Sequence, residues 1–480
     1  MRNLFNLVFS VFVAVTVMLS CDNNEGLTSH ESVPVLTTTA AAEITATSVE
    51  TGGNITSDGG ANITERGICW STNPNPTIED NATTEGTGIG SFTSIITGLS
   101  AGTRYYVRAY AVNTSGVGYG NSITFTTLTV TVNSYVYHIP ETTSDGWETE
   151  SLGNTGLDEE FFINMMNELR GLTNHGIHSI LVAKNNKLVF EEYFSGKDLY
   201  TPYMAFNRET THCLCSITKS FTSALTGIAI DQGFIQGVDQ KISDYFIDYD
   251  SLFTEGKNQI SIYNLLTMTS GFDWEENAYP FTDPRNDLGQ FNQSPNPIQY
   301  ILSKNVGSEP GSTFNYNGGA VNLLGELIHR AVSLDIKAFA RMNLFEPLGI
   351  TDYSWFTLAN HITYVSGDLH IRPRDMLKFG QLFLDKGIWK DNQIISEEWI
   401  RASHQYHVSN FYGYLWWLNS YNVGTRRISM YYAGGWGGQF IFIIEQLKMV
   451  VVFTGGNFNT DGDTPVFSRM LNYILPSAFD

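Results

Sequence analysis

The pattern of apolar and polar positions changes character three times along the chain. Between Leu4 and Leu19 the residues are apolar apart from Asn6, Ser10 and Thr16, and a single positive side chain, Arg2, precedes them. That arrangement predicts an export signal over residues 1–21. Residues 22–32 are polar and read as a tether. Over 33–128, short Thr/Val/Ile-rich runs alternate with Gly, Asn and Asp at the 8–12-residue spacing of an all-β sandwich. The runs are 43–52, 63–71, 91–97, 105–112 and 122–127. A polar linker is expected over 129–155. From 156 to 480 helical and strand periods intermix, which predicts an α+β domain. Phe161, Phe162, Met165 and Leu169 lie on one side of a helix expected over 158–172. A hairpin over 179–194 should turn at Asn185-Asn186. An apolar helical run passes through Phe221, Leu225, Ile228 and Ile230 to Gly233, another covers 321–332, and 428–432 and 440–444 are strongly β. The Pro-, Asn- and Asp-rich stretch 273–297 has the length of a lid.

Composition narrows the classes of function. The 480 residues hold 48 Asp+Glu against 27 Lys+Arg, a net charge of −21. This excludes a nucleic-acid binder held by phosphate contacts. The first lysine is Lys184, and between residues 22 and 130 ten acids face three arginines. Electrostatic adhesion to anionic surfaces is disfavoured as well. With 42% hydrophobic and 13% aromatic residues the chain can bury large cores. No other stretch reaches the ~18 apolar residues of a membrane span, so the remainder should be soluble and outside the cytoplasm. The four cysteines, Cys21, Cys69, Cys213 and Cys215, form neither a disulfide framework nor a zinc-finger spacing. Cys213 and Cys215 alternate along an extended segment, so their side chains are expected to point apart as buried free thiols. His175 and His178 lack a third ligand in motif spacing and read as packed histidines. No metal or organic cofactor is expected.

Met18-Leu19-Ser20-Cys21 resembles the lipobox of bacterial lipoproteins, with Met18 in place of the usual Leu. The resemblance implies diacylation of Cys21 and a lipid-anchored protein of the cell envelope, at the outer membrane on its periplasmic or surface side. The alternative is an ordinary cleaved signal with a chance cysteine. Leu99-Ser100-Ala101-Gly102-Thr103-Arg104-Tyr105, followed by Val107, Ala109 and Ala111, resembles the corner of a fibronectin type III domain. There the hydroxyl of Tyr105 would reach back to backbone. No nucleophile or acid–base cluster stands in this module, whose expected roles are spacer, adhesion or glycan contact.

Chemistry concentrates further on. Ser216-Ile217-Thr218-Lys219 heads a helical run, and residues three apart share a helix face, so hydroxyl and amine can touch. A lysine desolvated against apolar walls is expected to lose basicity until it can take the serine's proton. Pro310-Gly311-Ser312-Thr313-Phe314-Asn315-Tyr316-Asn317-Gly318-Gly319 places Tyr316 in a loop before a helix. Near the C-terminus, Tyr431-Tyr432-Ala433-Gly434-Gly435-Trp436-Gly437-Gly438-Gln439 joins two β runs. In this order the three elements resemble the penicillin-recognising serine hydrolases, most closely the class C β-lactamase-like branch with its esterases and 6-aminohexanoate-dimer hydrolases. The resemblance covers about 300 residues, with further matches at Arg372-Pro373-Arg374-Asp375 and Tyr412-Gly413-Tyr414-Leu415-Trp416-Trp417. It implies a β-lactamase/transpeptidase-like fold, an antiparallel sheet flanked by helices plus a helical subdomain. It also implies an acyl-enzyme at Ser216, proton transfer by Lys219 and Tyr316, and an oxyanion hole from the backbone N–H groups of Ser216 and Trp436.

Two positions depart from that pattern. Ala433-Gly434-Gly435 replaces the Lys-Thr-Gly of β-lactamases, so a neutral ester or amide becomes more plausible than a carboxylate-bearing lactam. Arg426 and Arg427 more plausibly decorate a strand end. Gly318 replaces the usual Asn or Ser of the tyrosine loop, leaving Asn317 as the nearby amide. Asn317, Ala433, Gly435 and Trp274 are the expected substrate-binding residues, within an aromatic group that also includes Tyr279, Phe281, Trp416, Trp417 and Trp436. The resemblance implies a small-molecule or peptide ester or amide as the substrate. Rival readings are a non-catalytic peptide or cell-wall binder on the same fold, a true β-lactamase or D-Ala peptidase, and an adhesin led by the first module.

Overall fold

The protein was analysed as a computed structural model that describes residues 31–128, 134–172, 175–200, 202–254, 256–458 and 464–479. The expected signal segment, Cys21 and the tether up to residue 30 lie outside the described residues. The chain divides into two units, Met1–Thr131 and Val132–Asp480.

In the first unit two antiparallel sheets form. Val35–Ala42, Val49–Ser57 and Gly90–Ile96 make one; Asn81–Ala82, Glu65–Ser71, Arg104–Asn113 and Gly116–Tyr119 make the other, with Ile123–Thr126 also paired to Arg104–Asn113. Period-2 alternation puts Tyr105, Val107, Ala109 and Ala111 on a single buried face, where they meet Val49, Ile55, Ile68 and Ile96. The Tyr105 hydroxyl accepts the Ser100 N–H at 3.0 Å, as its place at the corner anticipates. The expected strand 43–52 is divided instead. Glu43 takes a left-handed turn (φ 46°), and pairing resumes at Val49. The strand Val35–Ala42 has no counterpart in the expectations, because its Thr and Ala residues carry little hydrophobic signal.

The second unit is built on a seven-stranded sheet. Its order is Trp417–Val423, Arg426–Gly435, Gln439–Ile444, Met449–Gly455, Ile177–Lys184, Lys187–Tyr193, Glu148–Thr149, antiparallel except for the last pair. Gln439–Ile444 and Met449–Gly455 are buried throughout, because both faces of the sheet are covered. Phe440, Phe442, Val451 and Phe453 face the helix Glu159–Gly171 and the C-terminal turns. Ile441, Ile443, Val450 and Val452 face the helices Thr218–Asp231, Gly318–Val332 and Pro373–Leu384. Close approach of this last helix needs Gly380, where a Cβ would stand 2.5 Å from a Val450 methyl. The hairpin turns at Asn185 and Asn186, φ 52° and 64°, the conformation of the tight turn that suits strand twist.

The linker expected over 129–155 is shorter than its polarity suggested. Tyr135 and Trp147 are each 3% exposed within the second unit's cores. Tyr135 donates its hydroxyl to Glu192 at 2.6 Å, and Glu148–Thr149 adds an edge strand. A few aromatic anchors outweigh the polar composition around them. Among the described residues no helix is long and apolar enough to cross a membrane.

Candidate active site

Ser216 lies in a 3-10 turn, Cys215–Ile217, that runs directly into the helix Thr218–Asp231. The turn is sharp because Cys215 has φ 48°. It is anchored by Leu214 N–H on the Leu369 carbonyl at 2.8 Å and by Ile217 N–H on the Leu214 carbonyl at 3.1 Å. The helix behind it is buried almost throughout, and its hydroxyls find backbone acceptors: Thr222 donates to the Val365 carbonyl at 2.8 Å and Ser220 to that of Leu415 at 2.7 Å. Those bonds fix the rotation of the helix that aims Lys219.

Lys219 is 3% exposed and its ammonium donates to Ser216 Oγ at 2.9 Å and to the Ser366 carbonyl at 2.7 Å. The ring of Tyr316 stands beside the ammonium, its centroid 4.9 Å from Nζ, with the hydroxyl in bonding reach of the same nitrogen. Trp417 stacks on that ring at 6.0 Å and 19°. The three residues that the sequence separates by 100 positions therefore meet. The Gly-rich strand end completes the site. At Gly435 a Cβ would meet the Leu214 carbonyl oxygen at 2.3 Å and the Ser216 nitrogen at 3.2 Å, so only glycine lets the strand lie against the nucleophile's turn. Trp436 follows at once, half-exposed, its ring edge-on to Phe458 at 5.1 Å.

A beta-lactamase family model matches residues 169–471, the whole stretch that carries these elements. The chain belongs to the beta-lactamase family. It is 21% identical to the 6-aminohexanoate-dimer hydrolase of Paenarthrobacter ureafaciens over 47% of this chain and 56% of that one. It is 27% identical to the monacolin J acid methylbutanoyltransferase of Aspergillus terreus over 30% and 37%. The chain thus spans about half or less of the length of these curated relatives. The fold resembles that of a family VIII carboxylesterase, with TM-score 0.54, 13% identity and coverage of 71% of this chain and 100% of that one. A penicillin-binding protein homologue from Caulobacter crescentus gives 0.52, 15%, 67% and 98%.

Within this beta-lactamase-family unit the segment expected as a lid supplies a group the sequence did not single out. Glu276 Oε2 accepts the Trp274 indole N–H at 2.6 Å and the Gly318 N–H at 2.7 Å. A Cβ on Gly318 would lie 3.1 Å from that oxygen, so the carboxylate occupies the space that the missing Asn or Ser side chain would need. Burial pushes the Glu276 carboxyl up, outweighing the pull of Lys219 and the N–H donors.

Glu276 also changes the expectation for Lys219. Burial pushes the ammonium down, but the Tyr316 hydroxyl, then Glu276 and Tyr364, outweigh it and leave Lys219 above the ordinary lysine value. The expected depression is reversed, since the apolar helix faces a polar cluster and not an apolar wall. Ser366 and Asn322 support that cluster. The Asn322 amide donates to Ser366 Oγ at 2.8 Å and accepts the Ser366 N–H at 3.2 Å, presenting the carbonyl that binds Lys219.

The remaining expected residues fall into supporting places. Trp274 is 4% exposed, packed edge-on against Phe291 and Tyr300, and meets the site only through Glu276. It does not line an acyl pocket, because the core beneath Gly319 claims its ring. The Asn317 side-chain oxygen caps the helix Gly318–Val332 by accepting the Ala320 N–H at 2.8 Å, while its amide nitrogen is buried without a hydrogen-bond partner. Ala433 is 1% exposed and belongs to the core that includes Leu214 and Ile217. Arg427 is eight residues from Gly435 along the strand, roughly 26 Å at strand rise, and cannot substitute. Of the tandem tryptophans, Trp416 is core, stacked over Phe379, and Trp417 supports Tyr316. His178 stacks on Phe206 at 4.0 Å as a packed histidine.

Cys213 and Cys215 do not point apart. Their sulfurs are 3.6 Å from each other, because the left-handed conformation at Cys215 reverses the strand alternation.

Proposed function

We propose that the second unit is a serine hydrolase that cleaves a neutral ester or amide through an acyl-enzyme on Ser216. The contact of Lys219 Nζ with Ser216 Oγ at 2.9 Å carries this reading. Ser216 Oγ attacks the substrate carbonyl and its proton passes into the Lys219–Tyr316 pair. Lys219 and Tyr316 share one proton: Lys219 holds it as an ammonium that keeps both oxygens in positive potential, and the Tyr316 oxygen, entering as phenolate, takes the Ser216 proton and hands it to the leaving group, then takes a proton of the deacylating water and returns it to Ser216. The backbone N–H groups of Ser216 and Trp436 receive the oxyanion, an interaction typically worth 10²–10³ in rate. Ala433 supports the neutral substrate, since a carboxylate would find no lysine on this strand.

A fluorophosphonate should add one phosphonyl group to the peptide containing Ser216 and none to Ser216→Ala. Absence of an adduct, with the protein folded, would leave the non-catalytic binder as the better reading. A chromogenic cephalosporin should turn over at least about 100-fold less efficiently than a p-nitrophenyl ester; parity would favour a true β-lactamase.

Export and anchoring through a lipid on Cys21 in the cell envelope are part of the same proposal, supported by the apolar run and Met18-Leu19-Ser20-Cys21. Cys21→Ser should move the protein from the membrane fraction to the soluble one. The first unit is read as a fibronectin type III-like spacer, with glycan or surface contact as its alternative role. Its two-sheet pattern and the Tyr105 bond support the resemblance.

A further inference from the structure

The turn that holds Ser216 carries a second cluster that acyl transfer does not use. Cys213 lies opposite His370 in the antiparallel pairing of His212–Cys213 with Leu369–Ile371, so their side chains leave the same side of the ladder. Cys215 is turned toward Cys213 by its left-handed backbone, and Asp368, also left-handed at φ 60°, is turned toward the same point. The ligand atoms of Cys213, Asp368 and His370 all lie within 4.8 Å of one another. Cys213 Sγ is 3.6 Å from Cys215 Sγ and 3.3 Å from Asp368 Oδ1, which is in turn 2.9 Å from His370 Nε2.

These three separations are close to the corresponding edges of a metal tetrahedron. Zinc bonds of about 2.3 Å to sulfur and 2.0–2.2 Å to nitrogen and oxygen set edges of about 3.8 Å for S–S, 3.6 Å for S–O and 3.4 Å for N–O. The cluster is tighter by a few tenths of an ångström. A His–Asp hydrogen bond alone explains the shortest edge, but not the Cys213 sulfur converging on the same carboxylate with a second sulfur beside it. The pair of sulfurs is also well beyond the ~2.05 Å of a disulfide.

We propose that Cys213, Asp368 and His370 bind one zinc-class divalent cation, with the Cys215 sulfur, 3.6 Å from that of Cys213, rotating in as the fourth ligand. Two thiolates, an imidazole and a carboxylate suit zinc among common cations, and four protein ligands leave no open position. The site is therefore structural. Both thiols lose their protons to solvent on binding, His370 binds through neutral Nε2, and the Tyr200 hydroxyl orients Asp368 from outside. Cys215 immediately precedes Ser216, so the cation would lock the nucleophile's turn to the strand Leu369–Ile371. The site is independent of the reaction assigned to Ser216, and metal content and fluorophosphonate labelling can fail separately.

The test uses the full chain, purified with thiol reductant, stripped by chelator and titrated with Co²⁺ alone, then Zn²⁺. One equivalent of cobalt should produce a thiolate-to-metal charge-transfer band with intense tetrahedral visible absorption, and zinc should abolish both. Zinc should also protect two thiols from a thiol reagent. Cys213→Ser and His370→Gln should each weaken binding by more than the 10–100-fold typical of an outer-ligand change, while Cys69→Ser, in the first unit, should bind as the parent does. If Cys213→Ser fails to fold, His370→Gln carries the same reading. Absence of the band with both thiols reactive in zinc, or an intact mass lighter by two hydrogens with no metal bound, overturns the proposal.

Discussion

Glu276 shows how much a single side chain alters at the scale of the residue. After Tyr316, its carboxylate is the next group that raises Lys219 against the burial that lowers it, and it does so from a segment with no motif of its own. Because Lys219 is held above its ordinary value, the basic limb of the pH–rate profile reports loss of its proton. Glu276→Gln removes the negative charge, so that limb should move toward lower pH. The check is kcat/KM for a p-nitrophenyl ester against pH; an unmoved limb would break the coupling. Gly435 is constrained by contact. A methyl 2.3 Å from the Leu214 carbonyl must displace the turn bearing Ser216. Gly435→Ala should cost about 100-fold in the rate of fluorophosphonate labelling, the usual penalty for moving a reacting atom by about an ångström. The order Ser216, Lys219, Tyr316 and the glycine-rich strand was legible in the sequence, because short-range spacing and turn residues encode them. Glu276, Ser366 and Asn322 were not, since they meet Lys219 only through long-range packing.

Elements show the same division. The nucleophile helix was readable from its apolar period, yet the helix Pro373–Leu384, whose start matched the family as Arg372-Pro373-Arg374-Asp375, turns out to be held by charge. Lys378 is fully buried and donates to Asp375 at 2.8 Å, and Asp375 also accepts from Arg372 at 2.8 Å. Arg374, 3% exposed, bonds Glu191 at 2.5 and 2.7 Å and Asp145 at 3.0 Å. Removing one member of such a buried pair strands the other in low dielectric. Asp375→Ala should lower stability by about 3–5 kcal/mol in denaturant titration. A pattern of hydrophobicity cannot announce these pairs: charged residues in a helix read as a solvated face until the fold buries them.

For the whole molecule, buried histidines set an acid limit. His178 and His212 are each 1% exposed; burial pushes them down to about 4 and about 3, helped by a neighbouring imidazole in each case. Their folded values lie below the ordinary 6.5, so the unfolded chain binds protons that the folded chain refuses. Their contribution is complete above about pH 6.5 and is lost as pH falls toward 4. Tm should drop progressively as pH falls from 6.5 to 4. Resonances of the His178 and His212 imidazoles that titrated near 6.5 in the folded protein would contradict this. By itself the sequence determined the two-part organisation, the β and α+β characters and the Ser216–Lys219–Tyr316 order, because hydrophobic period and local turn chemistry act over a few residues. Tertiary structure alone decided the polar surroundings of Lys219, the absorption of Tyr135 and Trp147 into the second unit's two cores, and the meeting of Cys213 with Cys215, Asp368 and His370. Those outcomes depend on which distant groups share a low-dielectric space and on a left-handed residue that reverses a strand's alternation, and neither is written in spacing.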